Sequence, residues 1–227
     1  MSRQSDGAKQ KRLERERAQR RDAIISVAEN IFAKEGYHQA MVDQIATEAG
    51  YTKATLYNYF QSKDDLYNAV AIRAFASLLE IMEKTLNQPD AVYELRTLGN
   101  AYLAFVEAYP FYAEIMDSGQ LSTAFSKIGE KETTKQPLTE SEAGLRQRQK
   151  KIERLMTDVI GQTLANSGVQ KKVDPLSVTI ALSTLGLAVR EIIMRGKTGG
   201  LPEEKTREYL SVLYTIIDQG LKHYDAK

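Results

Sequence analysis

Apolar residues recur every three or four positions along nearly the whole chain, the repeat of a helix with one buried face. Ile24, Val27, Ala28, Ile31 and Phe32 form one stripe. Leu145, Ile152, Leu155, Met156, Val159, Ile160 and Leu164 form a second, and Leu210, Leu213, Ile216, Ile217 and Leu221 a third. No convincing alternation of period two interrupts them. The pattern predicts an all-α fold of about nine helices.

Punctuation residues mark the boundaries. Gly36 and Gly50 each stand just past the last periodic residue of a segment, where a helix ends in a left-handed turn. Asn87-Gln-Pro-Asp90 closes a long helix that begins near Ser62, and Pro110 breaks the next one. Asp174-Pro175 reads as a cap followed by proline at the first helical position. Gly196 to Pro202 separates the last two helices. Between Gly129 and Glu142 the chain is rich in Thr, Glu and Lys without a stripe, which predicts a mobile loop.

One short stretch stands apart. After Gly50, Thr52 can cap a helix of about two turns by accepting a bond from an early backbone N–H. Leu56 and Phe60, four apart, share the face that holds this helix down. The other faces present Lys53, Ala54, Thr55, Tyr57, Asn58 and Tyr59. An ammonium, a methyl, hydroxyls and an amide add little to the stability of so small a helix. They suit phosphate oxygens and base edges. Ser62 and Asp65 suggest a weak capping box for the following helix. Lys63 then lies in a first turn where the helix dipole disfavours a cation by about 0.3–1 kcal/mol, a cost that a nearby phosphate, or simply Asp64, would offset. The preceding short helix carries Val42, Ile45, Ala46 and Ala49 inward. Two short helices around a glycine fit helix-turn-helix.

Charge sharpens this picture. The net charge is +1 over 227 residues, but residues 1–21 hold eight Lys/Arg and three Asp/Glu, against 23 and 27 in the remainder. A basic end on a mildly acidic body suits a polyanion. Lys9 to Arg21, KQKRLERERAQRR, also interleaves Arg and Glu at helical spacing. It can extend the first helix as a salt-bridged face, or reach DNA backbone or minor groove as an arm. There is no cysteine, so disulfides and thiolate chemistry are excluded, and a reducing compartment fits. The charged N-terminus does not read as a secretory signal. The longest uncharged run, Pro175 to Val189, is too short to span a bilayer. A soluble, cytoplasmic protein with no membrane partner is expected.

Gly36-Tyr37, Ile45-Ala46, Ala49-Gly50, Thr52-Lys53-Ala54-Thr55-Leu56-Tyr57, Tyr59-Phe60, Ser62-Lys63 and Leu66 together resemble the signature of the TetR family of transcriptional regulators. The resemblance covers about residues 20–70. It implies a basic extension over 1–20, a three-helix DNA-binding domain over 21–66, and a larger helical domain over 67–227 for ligand binding and dimerisation. It further implies a homodimer on a palindromic double-stranded DNA operator, usually a repressor, with a small-molecule effector altering the spacing of the reading heads. Carried over by position, Lys53, Ala54 and Thr55 face bases. Thr52, Tyr57, Asn58, Tyr59 and Lys63 face phosphates or groove edges. Two departures stand out. Ala40-Met41 occupies positions where the family usually has two hydroxyl residues that cap the second helix, so the cap is expected from elsewhere, with Gln39 a candidate. Ala54 replaces a frequent glycine, and its methyl favours a thymine methyl or limits backbone approach.

In the body, Ile180, Leu182, Leu185, Leu187, Val189 and Ile193, then Tyr209, Val212, Leu213, Ile216 and Ile217, are too apolar for one-sided packing. With the resemblance, Leu182, Leu185, Val189, Ile193, Leu213, Ile216 and Ile217 are expected at a dimer interface, a four-helix bundle across a two-fold axis. Tyr102, Phe105, Tyr109, Tyr112, Met116 and Met156 form an aromatic and methionine group that serves either as core or as the lining of a pocket for an apolar or amphipathic ligand. Only His38 and His223 exist, without metal spacing or Glu-x-x-His, and no Gly-rich phosphate loop occurs. The reading is therefore no enzyme, no metal and no cofactor. An activator of the same family and a helical protein-interaction adaptor are the competing functions.

Overall fold

The computed structural model describes residues 2–87, 95–166, Asp174 and scattered positions from Pro202 to Gln219. Among the described residues there are eight helices and no strand, the all-α fold that the periodicity predicts. They are α1 (Ser2–Gln39), α2 (Val42–Glu48), α3 (Lys53–Tyr57), α4 (Lys63–Leu86), α5 (Leu95–Ala108), α6 (Pro110–Met116), α7 (Gly119–Thr134) and α8 (Glu140–Asn166). Helix α4 stops ahead of Asn87, and α6 starts at Pro110, as the breakers require. None of the described helices is long and apolar enough to cross a membrane.

The chain divides into two compact units, Met1–Ile72 with Gln120–Leu145, and Arg73–Gly119 with Arg146–Lys227. In the first, α1 buries Ile24, Ile25, Ala28, Ile31 and Phe32. Four of these belong to the expected stripe; Val27 is only half-buried, and Ile25 is buried instead. Gly36 interrupts α1 with φ 77° and ψ 165°, a left-handed backbone that glycine adopts without steric cost. The break turns Tyr37 back onto Phe32, their ring centroids 6.1 Å apart, while Tyr67 of α4 meets Phe32 edge-on at 5.2 Å. Fully burying one ring such as Phe32 stabilises by about 1.5–3 kcal/mol.

The region read as a loop from Gly129 to Glu142 is mostly helix. Helix α7 continues to Thr134 and α8 starts at Glu140, leaving Lys135–Thr139 as the connection. Ile128 is fully buried and anchors the end of α7. The Thr133 and Thr134 hydroxyls donate to Gly129 O and Glu130 O at 2.9 and 2.8 Å. Thr139 and Glu142 then form a reciprocal cap: Glu142 N donates to Thr139 Oγ1 at 3.1 Å, and Thr139 N to Glu142 Oε2 at 2.8 Å. Lys131 closes the turn on Glu142 at 2.7 Å.

The second unit buries Leu78, Leu79, Met82 and Leu86 of α4, Phe105 and Val106 of α5, Ile115 of α6, and Ile152, Val159, Ile160 and Leu164 of α8. Of the residues expected at a dimer interface, Leu182, Leu185, Val189, Ile193, Leu213 and Ile217 lie outside the described residues, as do the Asp174-Pro175 and Gly196–Pro202 boundaries in large part. Ile216 is described and is 62% exposed.

Candidate nucleic-acid interface

The site begins at the turn between two short helices. Helix α2 buries Ile45 and Ala46 and ends in a double main-chain closure: Gly50 N donates to Thr47 O at 3.0 Å and Tyr51 N to Ala46 O at 2.8 Å. Gly50 has φ +77°, the left-handed conformation this closure demands. Thr52 caps α3 as expected, its Oγ1 accepting from Thr55 N at 3.1 Å. At the start of α2 no side chain caps; Met41 is the flanking residue, 65% exposed, and Gln39 does not supply the bond.

Helix α3 is held by one face. Leu56 and Phe60 are 0% and 1% exposed. Lys53, Ala54, Tyr57 and Asn58 are exposed, as is Thr52; Thr55 and Tyr59 are half-buried. The Thr55 hydroxyl lies 2.9 Å from that of Thr52. Lys53 Nζ reaches across to Asp43 Oδ2 at 3.0 Å, and this hydrogen bond and charge raise the pKa of the ammonium. Asp43 was not anticipated from the sequence.

Lys63 has a more specific environment than its position in the first turn of α4 suggests. Its Nζ sits 4.5 Å from the centroid of the Tyr37 ring and 3.4 Å from His38 O. Partial burial lowers its pKa, countered by the charge of Asp64. The hydrogen bonds of Asp64 go elsewhere. Tyr37 donates its hydroxyl to Asp64, and Lys127 Nζ of α7 lies 3.0 Å from Asp64 Oδ2. These partners, Tyr37 foremost, hold the Asp64 carboxyl below its usual range, while burial and Asp64 push the Tyr37 hydroxyl upward. His38 is exposed, with Nε2 2.8 Å from Gln120 Nε2.

The cap of α4 is the expected pairing with an added partner. Asp65 N donates to Ser62 Oγ at 3.1 Å, and Gln61 N donates to Asp65 Oδ2 at 3.0 Å. Helix α1 reaches the same place. The Arg17 guanidinium lies 5.9 Å from the Tyr59 ring and that of Arg21 4.9 Å from Phe60. Arg21 also donates to Ser141 Oγ at 3.0 Å and lies 3.4 Å from Glu140. The basic segment is helical back to Ser2, with Arg12 and Glu16 paired at 3.4 Å. The helical continuation of α1 is as read from the sequence. The aromatic contacts of Arg17 and Arg21 were not read there.

In the second unit the aromatic group forms a continuous run. Tyr102 and Phe105 rings are 6.3 Å apart, Phe105 and Tyr109 6.1 Å, and Tyr109 and Tyr112 5.6 Å. Phe105 is fully buried; Tyr102, Tyr112, Met116 and Met156 are half-buried; Tyr109 is 41% exposed. No group of three or more metal-binding side chains occurs among the described residues.

Residues 24–70 match the sequence profile of bacterial regulatory proteins of the tetR family, the same segment that carries the capped α3 and its glycine turn. Over that segment the chain is similar to regulators of the tetR family. The HTH-type transcriptional activator FasR of Mycolicibacterium smegmatis is 36% identical over 92 residues, covering 40% of this chain and 42% of the relative. The fatty acid metabolism regulator protein of Bacillus subtilis is 34% identical over 65 residues, 29% of this chain and 34% of the relative. The chain thus aligns with about two fifths or less of these curated tetR-family relatives. The fatty acid degradation regulator FadR from Bacillus halodurans has the same fold, with TM-score 0.57 at 22% identity over 88% of this chain and 93% of that one.

Proposed function

We propose that the chain is a sequence-specific DNA-binding transcriptional regulator, acting in the cytoplasm as a homodimer on a palindromic operator and released by a small-molecule effector. The carrying observation is the orientation of α3, with Leu56 and Phe60 sealed and Lys53, Ala54, Tyr57 and Asn58 turned outward. In this reading Lys53, Ala54 and Thr55 address base edges, and Thr52, Tyr57, Asn58, Tyr59 and Lys63 address phosphates or groove edges. The domain roles follow: residues 21–66 read DNA and 67–227 bind ligand and dimerise. An adaptor that binds only protein gives no reason for this outward set.

Dimerisation is supported by Tyr209, Val212 and Ile216, which follow helical spacing and are 46%, 52% and 62% exposed in the single chain. Such a stripe suits a second copy. The effector is inferred to be amphipathic with a long acyl chain. Two proteins similar to this one are named for fatty acid metabolism. The run from Tyr102 to Tyr112, with Met116 and Met156, supplies apolar surface and phenol tips of the kind such a ligand needs. Repression is the primary proposal; the name of the M. smegmatis relative favours activation as the second.

The test is selection of bound duplexes from a random pool. The expected product is a palindrome whose half-sites lie about one helical turn apart. Recovery of no preferred duplex overturns the proposal. Addition of a long-chain acyl thioester to the complex is expected to release the DNA, and sedimentation at micromolar concentration to show a dimer.

A further inference from the structure

We propose that Asp43 is a specificity-determining residue of the reading head: it holds the Lys53 ammonium for base edges and withholds it from phosphates. The inference rests on the DNA-reading function proposed above and extends it to a residue of α2. Asp43 stands in the first turn of α2 and Lys53 opens α3. Only the closure at Gly50 brings them together, at 3.0 Å, with side chains 65% and 52% exposed. The pair is therefore open to solvent, as are Ala54 and Tyr57.

A lysine ammonium has three donors and no acceptor. One is directed to Asp43, and two remain for a partner. Without the carboxylate, the four-carbon stem could carry this compact charge to whichever phosphate is nearest. Such contact is independent of sequence and grows with counterion release. The carboxylate changes the balance in three ways. It compensates the charge that random duplex would attract, and it repels phosphate itself. It also accepts hydrogen bonds, so at a matched site Lys53 can donate to guanine O6 or N7 while Asp43 accepts from a cytosine amino group. At a mismatched site the pair stays closed and the carboxylate opposes binding. A repulsive element of this kind lowers affinity for wrong partners more than for the right one.

The experiment uses the full chain with Asp43→Asn, Lys53→Ala, the double variant, and Glu48→Gln as control. Glu48 is also an exposed carboxylate of α2, but it accepts from Gln44 Nε2 at 3.2 Å. Binding is measured across a salt series to the duplex selected by the unaltered protein and to a scrambled duplex. Asp43→Asn is expected to tighten scrambled binding about fivefold, steepen the salt slope by about one, and cut the selected-to-scrambled ratio about tenfold. Glu48→Gln is expected to move that ratio less than about twofold. In the Lys53→Ala background, Asp43→Asn should move the ratio by only about twofold, since the part that runs through Lys53 is gone. Equal scaling of both duplexes by Asp43→Asn, an equal effect of Glu48→Gln, or an Asp43 effect undiminished without Lys53 overturns the inference. If the unaltered protein prefers no duplex, the DNA-reading proposal has failed and this one falls with it.

Discussion

Thr139 donates its hydroxyl to Asp65 Oδ1 at 2.6 Å, across 74 positions of sequence. The same Thr139 oxygen accepts from Glu142 N to cap α8, and the same Asp65 carboxylate accepts from Gln61 N beside the cap of α4. Two helix starts therefore share one hydrogen bond. Asp65 is 6% exposed and would keep its burial if the partner were removed.

Thr139→Ala is expected to cost about 1–3 kcal/mol, because it removes a cap and leaves a buried carboxylate oxygen without its donor. Urea denaturation checks this. A loss under about 0.5 kcal/mol, the level of an ordinary surface substitution, would show that the shared bond contributes nothing.

The two faces of α3 should separate cleanly in mutagenesis. Leu56→Ala is expected to destabilise the chain by about 2–5 kcal/mol, since a fully buried side chain is removed. Tyr57→Phe removes one exposed hydroxyl and is expected to stay within about 0.5 kcal/mol of the parent. It should weaken binding to every duplex alike, whereas Thr55→Ala should change which duplex is preferred. Anisotropy titrations against selected and scrambled DNA decide, and uniform scaling by both variants would contradict the division of roles.

The Tyr37, Asp64 and Lys127 cluster gives stability two pH edges. The Asp64 pKa is lowered in the folded chain from an ordinary 3.8. Its contribution is present above that value and is lost as pH falls through the folded value. The Tyr37 pKa is raised above an ordinary 10.0. Its contribution is present below that value and is lost as pH rises further. Stability is expected to fall at both edges in the parent and less steeply in Asp64→Asn. Thermal melts from pH 3 to 11 measure it, and parallel curves would reject the linkage.

Removing residues 1–20 tests whether the helical extension touches DNA. If its arginines meet phosphates, log K against log salt flattens by about 0.9 for each phosphate no longer neutralised. An unchanged slope assigns the extension to a solvated helix.

Most of the α2–α3 turn was legible in the sequence because its determinants are local. The Thr52 cap spans three residues, the Leu56 and Phe60 face four, and the Gly50 closure five or fewer. What escaped was non-local. Lys127 meets Asp64 across 63 positions, and no periodicity encodes that meeting. Arg21 over Phe60 and Tyr37 on Asp64 depend on how helices pack. Lys53 on Asp43 spans only ten positions but depends on the angle between two helices. The region around Thr134 failed for a different reason. Its polar composition was read as loop, although Thr139-Glu-Ser-Glu142 spells a capping box and the threonines of α7 bond back to its own carbonyls.

The bend at Gly50 is made by main-chain bonds, and Leu56 of α3 and Phe60 just after it are the sealed side chains that seat it. Positions 53, 54, 57 and 58 therefore bear little of the mechanical load. A new address could be written into those four letters while the hinge and its seating stay as they are. Lys53 is the one among them whose replacement strands a neighbour, since Asp43 would be left facing outward without its counter-charge.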